Sequence, residues 1–283
     1  MTFLQTFWPA ILAAVVVGAA APAIGAFVVQ KRLSLIGDGV GHIAFAGVAV
    51  GLWLNISPLA GALGAAILGA LGIDRLRRRS PEEADLVLAL FFYGAIAFGV
   101  VVLTKSGAYN VRVFGFLFGQ VLTVTNAELF TIAALGAAVA VCVVALFRGL
   151  VATAIDEEAA LVSGVPVSAL NAVLMVLTAT AIGVGMQVVG ILLVAALMVL
   201  PVGVARNLVN GFRNVVVAAA AIGAVSAFAG LVLSNTFDTA PSGTIVLVLI
   251  VAFAVSAFIG AVSGSYPAVR ASRLDPIEAL RNE

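Results

Sequence analysis

Residues 30–51 read QKRLSLIGDGVGHIAFAGVAVG and are the most informative stretch of the chain. Two cations, Lys31 and Arg32, open the stretch, and an apolar run suited to a membrane segment follows them. That run nevertheless contains Asp38 and His42, the one histidine of the sequence. Because ionisable side chains inside a membrane segment are energetically costly, they indicate a functional site by default.

Asp38 and His42 are four residues apart, so in a helix they lie on one face, a turn apart. A carboxylate oxygen beside an imidazole nitrogen is a suitable ligand pair for a divalent metal ion. The alternative is a hydrogen-bonded pair that only joins two helices, and the residue types alone leave the two interpretations evenly balanced. Small residues along the run would allow close approach of a hydrated path or, equally, of a neighbouring helix: Gly37, Gly39, Gly41, Gly47 and Gly51.

The composition identifies the class of protein. The chain has 283 residues, of which 63% are hydrophobic and 10% charged, with a mean hydropathy of +1.24. Soluble domains are about half apolar and about a quarter charged. The apolar segments run to about 20 residues without period-two alternation, which excludes a membrane β-barrel. The sequence therefore predicts an all-α, polytopic helical membrane protein embedded in a lipid bilayer.

Hydropathy predicts about nine transmembrane helices. The break between the sixth and seventh is placed around residues 185–187, and the count falls to eight if one hydrophobic stretch is re-entrant. The predicted spans are 7–29, 34–54, 57–73, 85–104, 126–147, 169–185, 188–205, 215–234 and 243–264.

The cations predict the orientation of these spans. Alternation of nine spans leaves only Lys105 and Arg112 on one side of the membrane. By the positive-inside rule the richer side is cytoplasmic, so the N-terminus is expected outside and the C-terminus inside. The residues on the richer side are Lys31, Arg32, Arg75, Arg77, Arg78, Arg79, Arg148, Arg206, Arg213, Arg270, Arg273 and Arg281.

The loop after the fifth span predicts a short cytoplasmic helix over residues 156–163. Asp156 is a suitable N-cap, and Glu157 and Glu158 fall in the first turn, where the helix dipole favours acids. Gly164 can end the helix in the left-handed conformation. We expect the acids to face the cytoplasm, and a helix of about two turns must dock on its own protein or on a partner. The remaining residues supply a small apolar surface: Ala159, Ala160, Leu161 and Val162.

Three motifs resemble the permease subunit of the metal-specific ABC importers, which take up zinc, manganese or iron. RLSLIGDGVGHIAFAGVAVG resembles the family's basic entry followed by Gly-Asp, a His one turn later and a Gly. FGFLFGQVLTVTNAEL is similar to the segment that precedes the fifth span. DEEAALVSGVPVSALN, followed by VVGILLVAALMVLPVGVAR, is similar to the cytoplasmic coupling region and the next spans. The resemblance covers residues from about 7 to 250.

The resemblance implies a type II ABC importer-like permease over residues 1–264, in a bacterial cytoplasmic membrane, with Asp38 and His42 on the metal path. It also implies three partners: a cytoplasmic ABC ATPase, an extracytoplasmic metal-binding protein and a second permease copy. It implies no nucleic-acid partner. The metal is cargo, and no cofactor of the chain's own is implied. Gly41 and Ala46 stand where the family usually has Ser and Pro, which leaves the metal preference open. The residues expected to couple to the ATPase are Asp156, Glu157, Glu158, Ala159, Ala160, Leu161 and Gly164.

The last stretch, SGSYPAVRASRLDPIEALRNE, resembles instead the tail of ABC permeases of the macrolide-exporter and lipoprotein-release type. Within the expected cytoplasmic tail, residues 265–283, Asp275 can cap a short helix that Pro276 begins. The tail is either a second surface for the ATPase or a solvated end.

The motifs also bear on the reaction class. The sequence has no G-x-x-x-x-G-K-[ST] phosphate loop, so we expect a transporter subunit driven by a separate ATPase. An intramembrane hydrolase is a remote alternative, because H-E-x-x-H and G-x-S-x-G are absent and Ser34 would lie about 12 Å from His42 along a helix. A permease for another cargo, a siderophore or a lipid-like molecule, is the remaining alternative.

Overall fold

The computed structural model describes residues 7–106 and 111–272, and within these ranges the regular secondary structure is helical. Short 3₁₀ turns at Pro81–Glu83 and Val121–Thr123 precede the fourth and sixth helices. The helices, in chain order, are α1 Trp8–Gln30, α2 Ile36–Trp53, α3 Pro58–Arg79, α4 Ala84–Ser106, α5 Val111–Phe118, α6 Asn126–Ile155, α7 Glu157–Val162, α8 Val167–Val188, α9 Ile191–Leu208, α10 Phe212–Phe237 and α11 Pro241–Ser272.

The helices agree with the predicted class and with the positions of the predicted spans. Eight helices among the described residues are long and apolar enough to cross a membrane, namely α1–α4, α6, α8, α10 and α11. The seventh predicted span corresponds to α9, whose apolar stretch over 193–208 is shorter. The all-α, polytopic architecture is therefore confirmed, with nine as an approximate count of spans.

Two helices form the centre of the molecule. α1 packs against α6, α8, α9 and α10, and α2 packs between α3, α4 and α9. The crossing of α2 and α3 depends on Gly47 and Gly61, because a Cβ atom on either glycine would lie within 2.4 Å of the other's carbonyl oxygen. Large apolar side chains on the outer helices are exposed, as at Leu90, Phe130 and Phe258, which suits contact with lipid.

The break between α8 and α9 lies at Val189 and Gly190, so its predicted position at residues 185–187 was wrong. Gly190 has φ +87°, and a Cβ atom there would lie 2.4 Å from the carbonyl oxygen of Leu117. Only glycine combines that backbone conformation with so close an approach. The position of the break thus depends on the packing of the α5 segment, which local hydropathy does not reveal.

The segment between α4 and α6, which contains α5, packs on the protein. Phe116 and Leu117 in α5 contact the main core, and the Phe118 carbonyl oxygen accepts a hydrogen bond from Ser242 Oγ at 2.6 Å.

At the other end of the chain, α11 continues to Ser272, well into the stretch that we assigned to the tail. Residues 273–283, with the predicted cap Asp275, lie outside the described residues.

Candidate metal site and short helix

A tight turn joins α1 to α2 and sets where the acidic residue of the motif lies. Arg32 adopts φ +60°, and Leu33 N–H donates to the Val28 carbonyl at 2.9 Å, which reverses the chain. α2 then begins at Ile36, so Asp38 falls in its first turn. The N-terminal end of a helix dipole favours a carboxylate at this position.

Asp38 and His42 lie on the same helix, as predicted from their spacing, and both are half-buried. They are close enough for their charges to interact. The His42 ring meets Phe92 of α4 edge-on, with ring centroids 4.5 Å apart and planes at 76°. Phe92 in turn contacts the Tyr93 ring at 5.1 Å. One aromatic side chain of α4 therefore positions the imidazole.

The number of candidate ligands near Asp38 and His42 limits what the described part of one chain could bind. Among the described residues, no group of three or more His, Cys, Asp and Glu side chains is placed to hold a metal ion. Transition metals in proteins usually take four or more ligands. Asp38 and His42 would thus form half of a coordination sphere, and the rest would have to come from water or from another chain.

Phe92 was not a predicted site residue. The available signal was the aromatic run Phe91, Phe92 and Tyr93 in a segment predicted to span the membrane. That signal does not show which helix the ring would meet, because only the packing of α4 on α2 brings the two side chains together.

The short helix α7 has the predicted caps. Asp156 Oδ1 accepts a hydrogen bond from Ala159 N–H at 2.9 Å. At the other end, Gly164 has φ +79°, its N–H donates to the Leu161 carbonyl, and Val165 N–H donates to the Ala160 carbonyl, each at 3.0 Å. This pair of bonds is the Schellman arrangement that ends a helix at a left-handed glycine.

The two sides of α7 differ in exposure. Ala160 is 4% exposed and faces the chain's own spanning helices, so its predicted place on a surface for a partner was wrong. Leu161 and Val162 are 65% and 89% exposed, and Ile155 just before the helix is 64% exposed. α7 therefore docks through one side and leaves an apolar patch of Ile155, Leu161 and Val162 uncovered; Ala159 is also exposed.

The two acids of α7 also differ. Glu158 is exposed, as expected. Glu157 is also exposed, its side chain by 46%, but it is bonded to the membrane domain, because Lys31 and Asn171 both donate hydrogen bonds to its Oε1 atom. Lys31 also donates to the Thr153 carbonyl at 2.7 Å.

The pKa values of Lys31 and Glu157 reflect the unequal burial of the two side chains. Burial lowers the pKa of Lys31 from its ordinary value, and the hydrogen bond and charge of Glu157 offset this only in part. Burial acts to raise the pKa of Glu157, but the hydrogen bonds from Lys31 and Asn171, with the charge of Lys31, outweigh it and lower that pKa. The lysine, which is almost fully enclosed, loses more hydration than the half-exposed glutamate.

Sequence reasoning used Lys31 only as a marker of topology and gave Asn171 no role. The signals were a lysine directly at the end of the first span and an asparagine inside a predicted span. Lys31 lies 126 positions from Glu157, and Asn171 lies 14 positions from it in a different helix, so the sequence could not pair them.

Comparisons with known proteins agree with the fold and the motif order. The model of the ABC 3 transport family matches residues 3–260. The manganese transport system membrane protein MntC of Halalkalibacterium halodurans is 30% identical over 249 residues, covering 88% of this chain and 85% of that protein. The high-affinity zinc uptake system membrane protein ZnuB of Haemophilus influenzae is 26% identical and covers 90% and 97%.

Solved structures show the same architecture. A chain of PsaBC from Streptococcus pneumoniae, in complex with a Fab, has a TM-score of 0.81 at 28% identity, covering 89% of this chain and 92% of that chain. An inward-facing metal-chelate type ABC transporter has a TM-score of 0.73 at 18% identity, covering 91% and 89%, which shows the fold alone. The family model spans nearly the whole chain, and the chain therefore belongs to the ABC 3 transport family.

Proposed function

We propose that this chain is the membrane-spanning permease of an ABC importer that carries a divalent transition metal, zinc, manganese or iron, across a bacterial cytoplasmic membrane. The observation that carries the proposal is the pair of half-buried ligands, Asp38 and His42, one helical turn apart in a spanning helix. The family supports it, since relatives in it are named for manganese and zinc transport.

Asp38 and His42 act as a transient station for the metal. The carboxylate is a hard oxygen ligand and the imidazole a borderline nitrogen ligand, a set that suits these three metals. Two ligands hold an ion weakly, which favours release, because transport requires binding that is strong enough to admit the ion and weak enough to let it leave. A second permease copy would supply a second pair and complete the coordination sphere at a shared path.

Energy enters from a separate ATPase, because the sequence has no phosphate loop. The apolar patch of Ile155, Leu161 and Val162 on and beside α7 is the surface on which that ATPase docks. ATP-driven approach of two ATPases then moves both α7 helices and switches the spans between outward and inward access, a two-state rigid-body change.

The distribution of cations supports an orientation with α7 in the cytoplasm and the N-terminus outside. The metal then arrives at the side that carries α5, delivered by an extracytoplasmic binding protein.

The Asp38→Ala/His42→Ala double variant tests the proposal. We expect uptake of Mn²⁺, Zn²⁺ and Fe²⁺ to fall to the level of cells that lack the transporter, while membrane insertion and abundance stay normal. Glu82→Ala, at an exposed acid outside α2, is the control and keeps uptake. The metal that copurifies with the complete transporter, measured by mass spectrometry, identifies the cargo. Normal uptake by the double variant would remove the metal-station assignment.

A further inference from the structure

The side chain of Lys31 connects three helices at one end of the bundle. Lys31 follows the last residue of α1, and its side chain is only 6% exposed. Its ammonium group donates to the Thr153 carbonyl in the last turn of α6 and to Glu157 in the first turn of α7. A buried lysine that bonds outside its own helix in two directions fixes the relative position of all three helices.

A fourth helix joins at the same carboxylate. Asn171 of α8 is 3% exposed, and its Nδ2 atom donates to Glu157 Oε1 at 2.9 Å. One carboxylate oxygen of α7 thus receives hydrogen bonds from both α1 and α8. Charge-assisted hydrogen bonds of this kind are short and directional, so α7 has little freedom to slide against these spans.

We propose that Lys31 and Glu157 form a tie that passes movement of α7 to α1, which makes Lys31 a positioning residue for transport. The inference rests on the proposed function, in which the ATPase attaches to α7. Lys31 lies at the end of α1 that leads directly into α2. Between Lys31 and Asp38 lie only the hydrogen-bonded turn and the first residues of α2, so displacement of Lys31 reaches the metal ligand over a short, ordered path.

The end of α1 can transmit a displacement because it is tightly held. Phe27, one turn before Lys31, is fully buried and meets the rings of Phe147 in α6 and Phe212 in α10, with centroids 6.0 and 5.0 Å apart. Well-packed interiors transmit strain and do not deform gradually. Movement of Lys31 is therefore expected to move the end of α1 as a unit.

Electrostatics argue that the tie serves geometry more than stability. Burial lowers the pKa of Lys31, and the nearby Arg78 and Arg77 lower it further, so the buried ammonium is only partly compensated by Glu157. An ion pair with one buried partner, as here, adds little net stability when the loss of water around that partner offsets the attraction between the charges. If the pair only held the helices together, apolar packing at the same place would serve as well.

The experiment compares Lys31→Met with a matched control in the complete transporter, reconstituted in nanodiscs with its own ATPase. Met keeps the length and apolar stem of the side chain and removes its charge. Arg148→Met removes an exposed cation from α6, so it changes charge without touching the tie. Hydrogen exchange of residues 155–165 and 27–35 is measured with and without a non-hydrolysable ATP analogue.

In the unaltered transporter and in Arg148→Met, we expect the nucleotide to change exchange in both segments. In Lys31→Met, residues 155–165 should still respond while residues 27–35 no longer do. Metal moved per ATP hydrolysed should fall about tenfold, within the usual range for coupling between sites. Lys31→Arg, which can still bridge to Glu157, should restore much of both signals.

Three outcomes are distinguishable. If residues 27–35 respond fully in Lys31→Met, or if that variant only lowers the folded amount with an unchanged ratio of metal to ATP, the tie is overturned and Lys31 is a brace. If neither segment responds in the unaltered transporter, α7 is not where the ATPase acts, and it is the proposed function that fails. If both segments respond there and only residues 155–165 respond in Lys31→Met, the tie is supported.

Discussion

At the scale of single residues, the contact between His42 and Phe92 bears directly on the proposed metal site. The ring of Phe92 meets the imidazole edge-on from α4, so it restricts the orientations that His42 can adopt. An aromatic pair of this geometry contributes about 0.5–1.5 kcal/mol beyond its buried area. A ligand held in place before the ion arrives binds that ion with a smaller loss of entropy.

We therefore predict that Phe92→Leu weakens transport without reducing the amount of permease. Leucine keeps most of the apolar volume and removes the ring, so the apparent KM for the metal should rise roughly two- to tenfold, the equivalent of the free energy of the ring pair. Uptake at graded metal concentrations measures the effect. Phe98→Leu, at an exposed position on the same helix, is the control. An unchanged KM in Phe92→Leu would show that α4 does not position the imidazole.

Glu157 gives a second prediction at this scale, which concerns pH. Its pKa lies below the ordinary value of 4.5, through hydrogen bonds from Lys31 and Asn171 and the charges of Lys31 and Arg78, which together outweigh the opposite effect of burial. A lowered pKa in the folded state contributes stability that is present above the ordinary value and lost as pH falls through the lowered one. Docking of α7 should therefore persist to pH values below 4.5.

Hydrogen exchange of residues 155–165, corrected for the intrinsic effect of pH, measures this docking. Protection should fall only below the ordinary pKa of a glutamate, and Glu157→Gln should lack that step. A loss of protection centred above pH 4.5 would contradict the role of the Lys31 bond.

At the scale of elements, α7 combines a docked side with an exposed one. The helix is too short to persist alone in water, and the contacts of Ala160 and Glu157 hold it against its own protein. Those contacts leave the patch of Ile155, Leu161 and Val162 exposed. An exposed apolar patch at a structured site is typical of a surface for a partner.

We predict that Leu161→Glu abolishes assembly of the ATPase while the permease remains normally abundant. Glutamate keeps helix propensity but places a charge at the proposed contact, where its burial would be costly. Pull-down of the ATPase with the tagged permease measures assembly. Ala160→Glu is the contrasting variant, because it places a charge on the docked side and should lower the folded amount of permease. If Leu161→Glu lowered abundance and retained the ATPase, α7 would be a structural helix only.

At the scale of the whole molecule, the orientation in the membrane is the property that organises the others. The distribution of cations predicts that α7 lies in the cytoplasm and that the turn between α10 and α11 lies outside. The same orientation places the ATPase surface and the external entry on opposite sides of the membrane, as an importer requires.

Cysteine labelling tests this orientation in intact cells. With Cys142 replaced by alanine, Ala240→Cys should react with a membrane-impermeant thiol reagent added outside, whereas Ser168→Cys should react only after the cells are opened. Both positions are exposed, so differences in labelling report the side of the membrane and not burial. Labelling of position 168 from outside would reverse the topology and remove the ATPase assignment.

The class of protein, the positions of its spanning helices, the caps of α7 and the shared face of Asp38 and His42 all followed from the sequence. These properties depend on hydropathy, helical spacing and the conformational preferences of single residues, which act over a few positions of the chain. The break at Gly190, the ring of Phe92 beside His42 and the bond from Lys31 to Glu157 did not follow from it. Each depends on a contact between residues distant in sequence: Lys31 and Glu157 are separated by 126 positions. Helix packing alone brings such groups together, so only the tertiary structure decided what holds the candidate metal ligands and what ties the short helix α7 to the membrane domain.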